Sequence, residues 1–196
     1  MQPLRLSHSS LDLLHTCERK YELEKLLAGA KVKEESEHLS FGHAYGAGVA
    51  TYLVTQDQDM AIFECWKNYW PEIDTDKKSC ALAVQALINS FIQLDTILQD
   101  HAVAYFNNKP AVELSFRLDI SEEYYFVGHI DVVLQNKFTV KYFVVDAKST
   151  GLNLLDISPL YRYSGQTIGY SIALDRIVGE ELAEFGVGYV VTQINA

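Results

Sequence analysis

From Leu11 to Leu27 apolar residues return every three or four positions, the spacing that gathers them on one face of a helix. Ser9-Ser10-Leu11-Asp12 has the Ser-x-x-Asp spacing of a capping box, and Gly29 stands where the turn should end, so a first helix is expected over Leu11–Leu27. A second is expected over Phe41–Val54. There Gly42, Ala44, Gly46, Ala47, Gly48 and Ala50 weaken the helix but would let another backbone approach closely. Asp59–Trp70 reads as a third helix stopped by Pro71. Asp76 to about Ala102, rich in Ala, Leu, Ile and Gln, reads as a long fourth.

The period changes at Pro110. Val112, Leu114, Phe116, Leu118 and Ile120 alternate with Glu113, Ser115, Arg117 and Asp119, the pattern of a half-buried strand. Tyr124–Leu134 and Val140–Lys148 follow as β-branched and aromatic runs joined by the polar turn Gln135-Asn136-Lys137, which predicts an antiparallel meander of three strands. A helix from about Tyr163 to Val178 and a strand over Phe185–Ile194 complete the chain, and a strand–helix–strand connection places the last strand parallel to a neighbour. The expected fold class is α/β: a single domain over 1–196, with a helical part at 1–109 and a mixed sheet core at 110–196. A stop so soon after the last strand would also suit a truncated chain.

With 48% hydrophobic and 21% charged residues, 196 residues suffice for one domain with a core. No apolar run is expected to reach the roughly 20 residues that span a bilayer, and Met1–Ser10 lacks the form of a secretory signal, which predicts a cytoplasmic protein without a membrane partner. Cys17, Cys65 and Cys80 are odd in number and far apart, so reduced, mostly buried thiols are expected rather than a disulfide framework. The formal net charge of −10 would repel a polyanion. A cation-neutralised acid cluster, and the basic stretch around Arg19, Lys20, Lys25, Lys31 and Lys33, would offset part of that.

Chemistry concentrates in two strands. Tyr142-Phe143-Val144-Val145 is apolar on both faces, as in a central buried strand, and it ends in Asp146-Ala147-Lys148, whose charged residues share one face. Taken alone, that pair could be a simple ion pair at a strand end. Asp131, however, interrupts the neighbouring apolar strand after Gly128-His129-Ile130. Two buried acids on adjacent strands raise one another's pKa unless a cation neutralises them, and a divalent ion with oxygen ligands does so. Glu113 on the preceding strand is a third candidate ligand, or a solvated residue. A lysine two residues beyond a metal-ligating aspartate could stabilise charge on phosphate during hydrolysis. Such a centre would be built from Asp131, Asp146 and Lys148 with Mg²⁺ or Mn²⁺.

These residues resemble the PD-(D/E)XK nuclease superfamily, and within it the RecB-like branch that includes CRISPR-associated exonucleases. Ser10-Leu11, Cys17, Arg19-Lys20 and Tyr21 match the branch's opening helical segment. His43 in Phe41-Gly42-His43 matches a helical histidine, Gly128-x-x-Asp131 and Asp146-x-Lys148 match the core motif, and Gln166-Thr167-Ile168-Gly169-Tyr170 matches a Gln-x-x-x-Tyr helix. The resemblance implies a restriction-endonuclease-like core, a DNA substrate and an exonuclease working in recombination, repair or phage and defence DNA processing. It also implies a catalytic set extended by Gln166 and Tyr170, and a metal or substrate contact at His43. Many members of the branch carry an iron–sulfur cluster on four cysteines. Only Cys17 matches here, so no cluster is expected and Cys17 is read as a small buried residue.

Residues four apart share a helical face, so Gln166 and Tyr170 could act together over the substrate backbone or the lysine. Tyr161, Arg162 and Tyr163 could stack on unpaired bases or contact phosphates, or merely anchor a loop. DNA with single-stranded regions or ends is the expected partner, with a helicase or recombination protein to recruit an acidic chain to it. A nuclease-fold module that binds DNA or protein without cutting is the competing reading. A glycosidase built on paired carboxylates leaves Lys148 without a role.

Overall fold

The structure, a computed structural model, describes residues 3–27, 36–70, 75, 78–139, 141–151, 156, 164–179 and 185–193. Among them one mixed sheet runs in the order β1 (Leu4–Leu6), β6 (Tyr124–Asn136), β7 (Tyr142–Thr150), β8 (Phe185–Gln193), with β2 (His101–Val103) and β5 (Val112–Asp119) also paired to β6, and helices flank it as expected for this fold class. The chain divides into two compact units, Met1–Glu34 with Ser115–His129 and Ser164–Glu181, and Glu35–Leu114 with Ile130–Tyr163 and Leu182–Ala196. Strands β5 (Val112–Asp119) and β6 (Tyr124–Asn136) belong partly to each.

In the first unit β1 (Leu4–Leu6) lies parallel to the start of β6, Leu4 opposite Tyr124 and Leu6 opposite Phe126. Helix α1 (His8–Thr16) is capped two residues earlier than expected: Ser7, extended at φ −144°, and Ser10 bond reciprocally, while Asp12 pairs with His8 instead. The single helix expected over Leu11–Leu27 is broken. Cys17 is extended at φ −162°, and the chain re-enters as α2 (Glu18–Tyr21) and a π-helical turn over Glu22–Leu26. Apolar spacing persists across such a break because a single extended residue barely alters the periodicity. Gly29 lies outside the described residues. Helix α6 (Gly165–Val178) starts at the Ser164 cap and ends at Gly179, whose φ of 74° suits glycine.

The second unit holds α3 (Glu37–Thr55), α4 (Gln58–Lys67), α5 (Cys80–Asp100), β7 (Tyr142–Thr150) and β8 (Phe185–Gln193). Its core joins Phe41, Tyr45 and Leu53 of α3 and Leu87 and Leu94 of α5 to Val132, Leu134, Val145 and Val190 of the sheet. Tyr45 carries its hydroxyl into this core, where it meets Ser90 Oγ at 2.8 Å; burial pushes its pKa up to about 12. Helix α5 is long and apolar enough to cross a membrane, contrary to expectation. Ala83, Leu87, Phe91 and Leu94 form its buried side, while Ile88 and Ile92 are exposed together with Gln85, Asn89, Gln93 and Thr96. The expected fourth helix is shorter than its pattern: His101–Val103 leave it as β2, antiparallel to the end of β6. Beyond it a hairpin, β3 (Tyr105–Phe106) and β4 (Lys109–Pro110), turns on Asn107 and Asn108, both at positive φ.

The small residues of α3 separate into two kinds. A methyl at Gly48 would lie 2.5 Å from Leu87 Cδ2 and 3.0 Å from Cys65 Cβ, whereas Gly46 has nothing within 4 Å. Gly48→Ala is therefore expected to destabilise by about 1–3 kcal/mol through overpacking. Gly46→Ala should instead stabilise by up to about 1 kcal/mol through helix propensity, and urea unfolding of both variants compares them.

Candidate active site

Strands β6 and β7 run antiparallel, with Val132 opposite Val145 and Val133 opposite Val144, so the next step of the register brings Asp131 beside Asp146. On the other side β8 lies parallel to β7, Asp146 opposite Tyr189 and Lys148 opposite Val191. The Phe143 ring covers Gly186 and Gly188 of β8, where added methyls would sit 2.6 and 2.3 Å from it; glycine at both positions keeps this register in place. Alternation puts Val145 and Ala147 against the helical core and turns Asp146 and Lys148 to the opposite face.

Asp146 is fully buried, and neither carboxylate oxygen has a hydrogen bond. Lys148 Nζ stands 2.7 Å from Asp146 Oδ2, an ion pair set outside the hydrogen-bonding direction, with the lysine side chain 31% exposed. Asp131 accepts the Ala147 N–H on Oδ2 at 3.1 Å. Burial and then the neighbouring Asp146 push the Asp131 pKa up to about 7, against the opposing pull of that N–H and of Lys148. Burial works against the Lys148 charge, but Asp146 and Asp131 outweigh it and hold the lysine above its ordinary value. At neutral pH Lys148 is thus a cation and a donor, not a base.

Orphaned buried carboxylate oxygens are uncommon in proteins, because the desolvation they suffer is normally repaid by a donor or a cation. Two carboxyl groups from adjacent strands, one of them fully buried with the Lys148 ammonium as its ion-pair partner, form a hard-oxygen donor set that fits a divalent ion. Among the described residues no third Asp, Glu, His or Cys completes a cluster of metal-ligating size. Glu113 is exposed and its φ of 48° interrupts the regular pleat. His43 is exposed on α3, a helix whose buried residues meet the Val145 face of the sheet.

The model of one family, the PD-(D/E)XK nuclease superfamily, matches residues 5–195. The chain belongs to that superfamily. No curated protein matches it. PD-(D/E)XK proteins are generally nucleases that use divalent metal ions, which accords with the carboxylate pair and lysine within β6 and β7. Gln166 and Tyr170, the Gln-x-x-x-Tyr pair, lie in the first unit, where the Gln166 amide donates to the Tyr170 hydroxyl. Tyr161, Arg162 and Tyr163 fall outside the described residues. Cys17 is exposed, contrary to expectation, because it occupies the break between α1 and α2; Cys65 is buried and its thiol is pushed up to about 12 by burial.

Tyr189 was not singled out by sequence. It sits opposite Asp146 on the neighbouring strand, near Lys148, and only the parallel register of β8 reveals it.

The raised Asp131 pKa carries a stability consequence in metal-free protein. The folded chain keeps a proton that the unfolded chain, with an aspartate near 3.8, releases; stability therefore falls as pH rises from about 4 through 7 and levels off above. Melting in chelator should drop by at least about 2–4 °C between pH 5 and 8, the equivalent of one kcal/mol at this size. Asp131→Asn should remove the drop.

Proposed function

We propose that this protein is a divalent-metal-dependent deoxyribonuclease of the RecB-like kind, acting as an exonuclease on DNA with single-stranded regions or ends. Asp131 and Asp146 would hold Mg²⁺ or Mn²⁺, and the single observation that carries the reading is the fully buried Asp146 carboxylate set beside Asp131 with Lys148 as its ion-pair partner. When bound there, such an ion polarises the scissile phosphate and makes water a better nucleophile. Lys148, fixed two residues along the same strand face and kept protonated by both aspartates, donates to phosphate oxygen as negative charge builds on it. The Ala147 N–H orients the Asp131 carboxylate.

On this proposal Gln166 and Tyr170 act on the bound strand rather than on the reacting bond. Arg19 and Lys20, part of the expected basic stretch, are paired with Glu22 at 2.5 Å and Glu24 at 3.9 Å. Such pairing leaves little free positive charge along that helix to attract a polyanion. Delivery by a DNA-bound helicase or recombination protein would supply the missing affinity.

The exonuclease reading is tested on matched linear and circular single-stranded DNA, end-labelled where linear, in Mg²⁺ and in Mn²⁺. Linear strands should shorten progressively from an end while the circle stays intact. Cutting of the circle at a comparable rate would overturn the exonuclease assignment.

A further inference from the structure

The first unit contains a cleft of about 390 Å³ whose lining includes Ser7, His8, Phe116, Phe126, Gln166 and Tyr170. Its volume lies near the lower end of small-ligand sites, enough for one nucleotide-sized group. The Phe116 and Phe126 rings, 5.9 Å apart, give it an aromatic wall. Helix α6 comes close to that wall through Gly169, where a side chain would start 3.2 Å from the Phe126 ring.

The polar groups are few and held in place. Tyr170 is buried and its hydroxyl accepts one N–H of Gln166. That bond fixes the amide plane and leaves its carbonyl and second N–H as an adjacent acceptor and donor. His8 Nδ1 is engaged by Asp12 at 3.1 Å, which leaves Nε2 as the ring's other polar atom. Aromatic wall and paired amide donor and acceptor match the two recognition features of an unpaired base, its flat face and its hydrogen-bonding edge.

We propose that this cleft takes one unpaired nucleobase, stacked against Phe126 and bonded at its edge by Gln166. Each DNA base offers a neighbouring donor and acceptor on its pairing edge, so the cleft grips a base without selecting among them, as suits an enzyme that moves along any sequence. The choice of a nucleobase over another flat ligand rests on the deoxyribonuclease reading.

Calorimetric titration of the full chain in chelator, with five-residue oligothymidylate and with an abasic deoxyribose-phosphate strand of equal length and charge, tests the proposal. The base-bearing strand should bind about tenfold or more tightly than the abasic one, within the range that base stacking and edge contacts provide. Gln166→Ala should bring the two strands to within about threefold. The near-isosteric Gln166→Glu, which removes the amide donor with little change of shape, should do the same and decides the matter if the alanine variant melts early. Equal binding of the two strands by the wild type, or a base preference that survives Gln166→Glu, overturns the proposal. No metal is present, so a protein that prefers bases yet never cuts DNA contradicts the nuclease reading alone. One that cuts DNA without preferring bases contradicts the cleft alone.

Discussion

Asp146→Asn is expected to reduce metal-dependent DNA cleavage by about 10³-fold or more and, in the same protein, to raise the melting temperature without metal. The first effect follows from losing a carboxylate ligand whose ion supplies several kcal/mol of charge stabilisation, each 1.36 kcal/mol being about tenfold in rate. The second follows from burial. Asp146 is 0% exposed with no hydrogen bond to either oxygen, and the folded chain bears its desolvation with only the Lys148 ion pair in return. Removing one member of a buried pair usually strands the other charge, but Lys148 is 31% exposed and can turn its ammonium to water. A gain of about 1–3 kcal/mol in chelator is the expected size, the part of the buried charge's desolvation that the Lys148 ion pair leaves uncompensated. Opposite signs in activity and stability are what separate a metal ligand from a structural acid. A variant that melts lower and still cuts would assign Asp146 to the fold.

Lys148→Ala should lower the rate of the chemical step by about 10²–10³-fold, the size of losing one donor aimed at developing charge. Binding of Mn²⁺ should persist and tighten, because a cation 2.7 Å from one ligand oxygen has been taken away. Single-turnover cleavage at saturating metal, set beside a metal titration, keeps the two effects apart. Lys148→Arg should recover only part of the rate, since a planar guanidinium cannot place its charge where a compact ammonium does. If Lys148→Ala loses metal affinity and rate together, the lysine serves to organise the carboxylates and not the reaction.

What the sequence made legible depended on element length. Strands β6 and β7, 13 and 9 residues long, carry enough apolar positions for Asp131, Asp146 and Lys148 to stand out as charges in the wrong place, and the structure does bring the three together. Three-residue strands such as β1 and β2 offer no such count, and His101 and Ala102 read as the tail of a helix although they pair with β6. The break at Cys17 was hidden because apolar periodicity continued on both sides. The Ser7 cap was missed for a neighbouring serine with equivalent spacing, a choice that backbone geometry makes and composition does not. His43 and Glu113 were chosen by residue type alone; both are exposed, and no cluster of three metal-ligating side chains forms around either among the described residues.

The charge balance acquires a local meaning in the same way. A chain at −10 cannot attract DNA over long distance, yet the buried acids of β6 and β7 are the part of that charge a divalent ion would neutralise. Affinity then has to come from short-range contacts such as base stacking, or from a partner already on the DNA.

The most direct test is cleavage of end-labelled DNA by wild type and by the Asp131→Asn/Asp146→Asn double variant, each with Mg²⁺, with Mn²⁺ and with chelator, after melting curves show both to be folded. The wild type should cut only with metal, and the double variant should be inert under every condition while melting higher than the wild type in chelator. A double variant that cuts DNA as fast as the wild type would place the reaction elsewhere in the chain and remove the carboxylate pair from it.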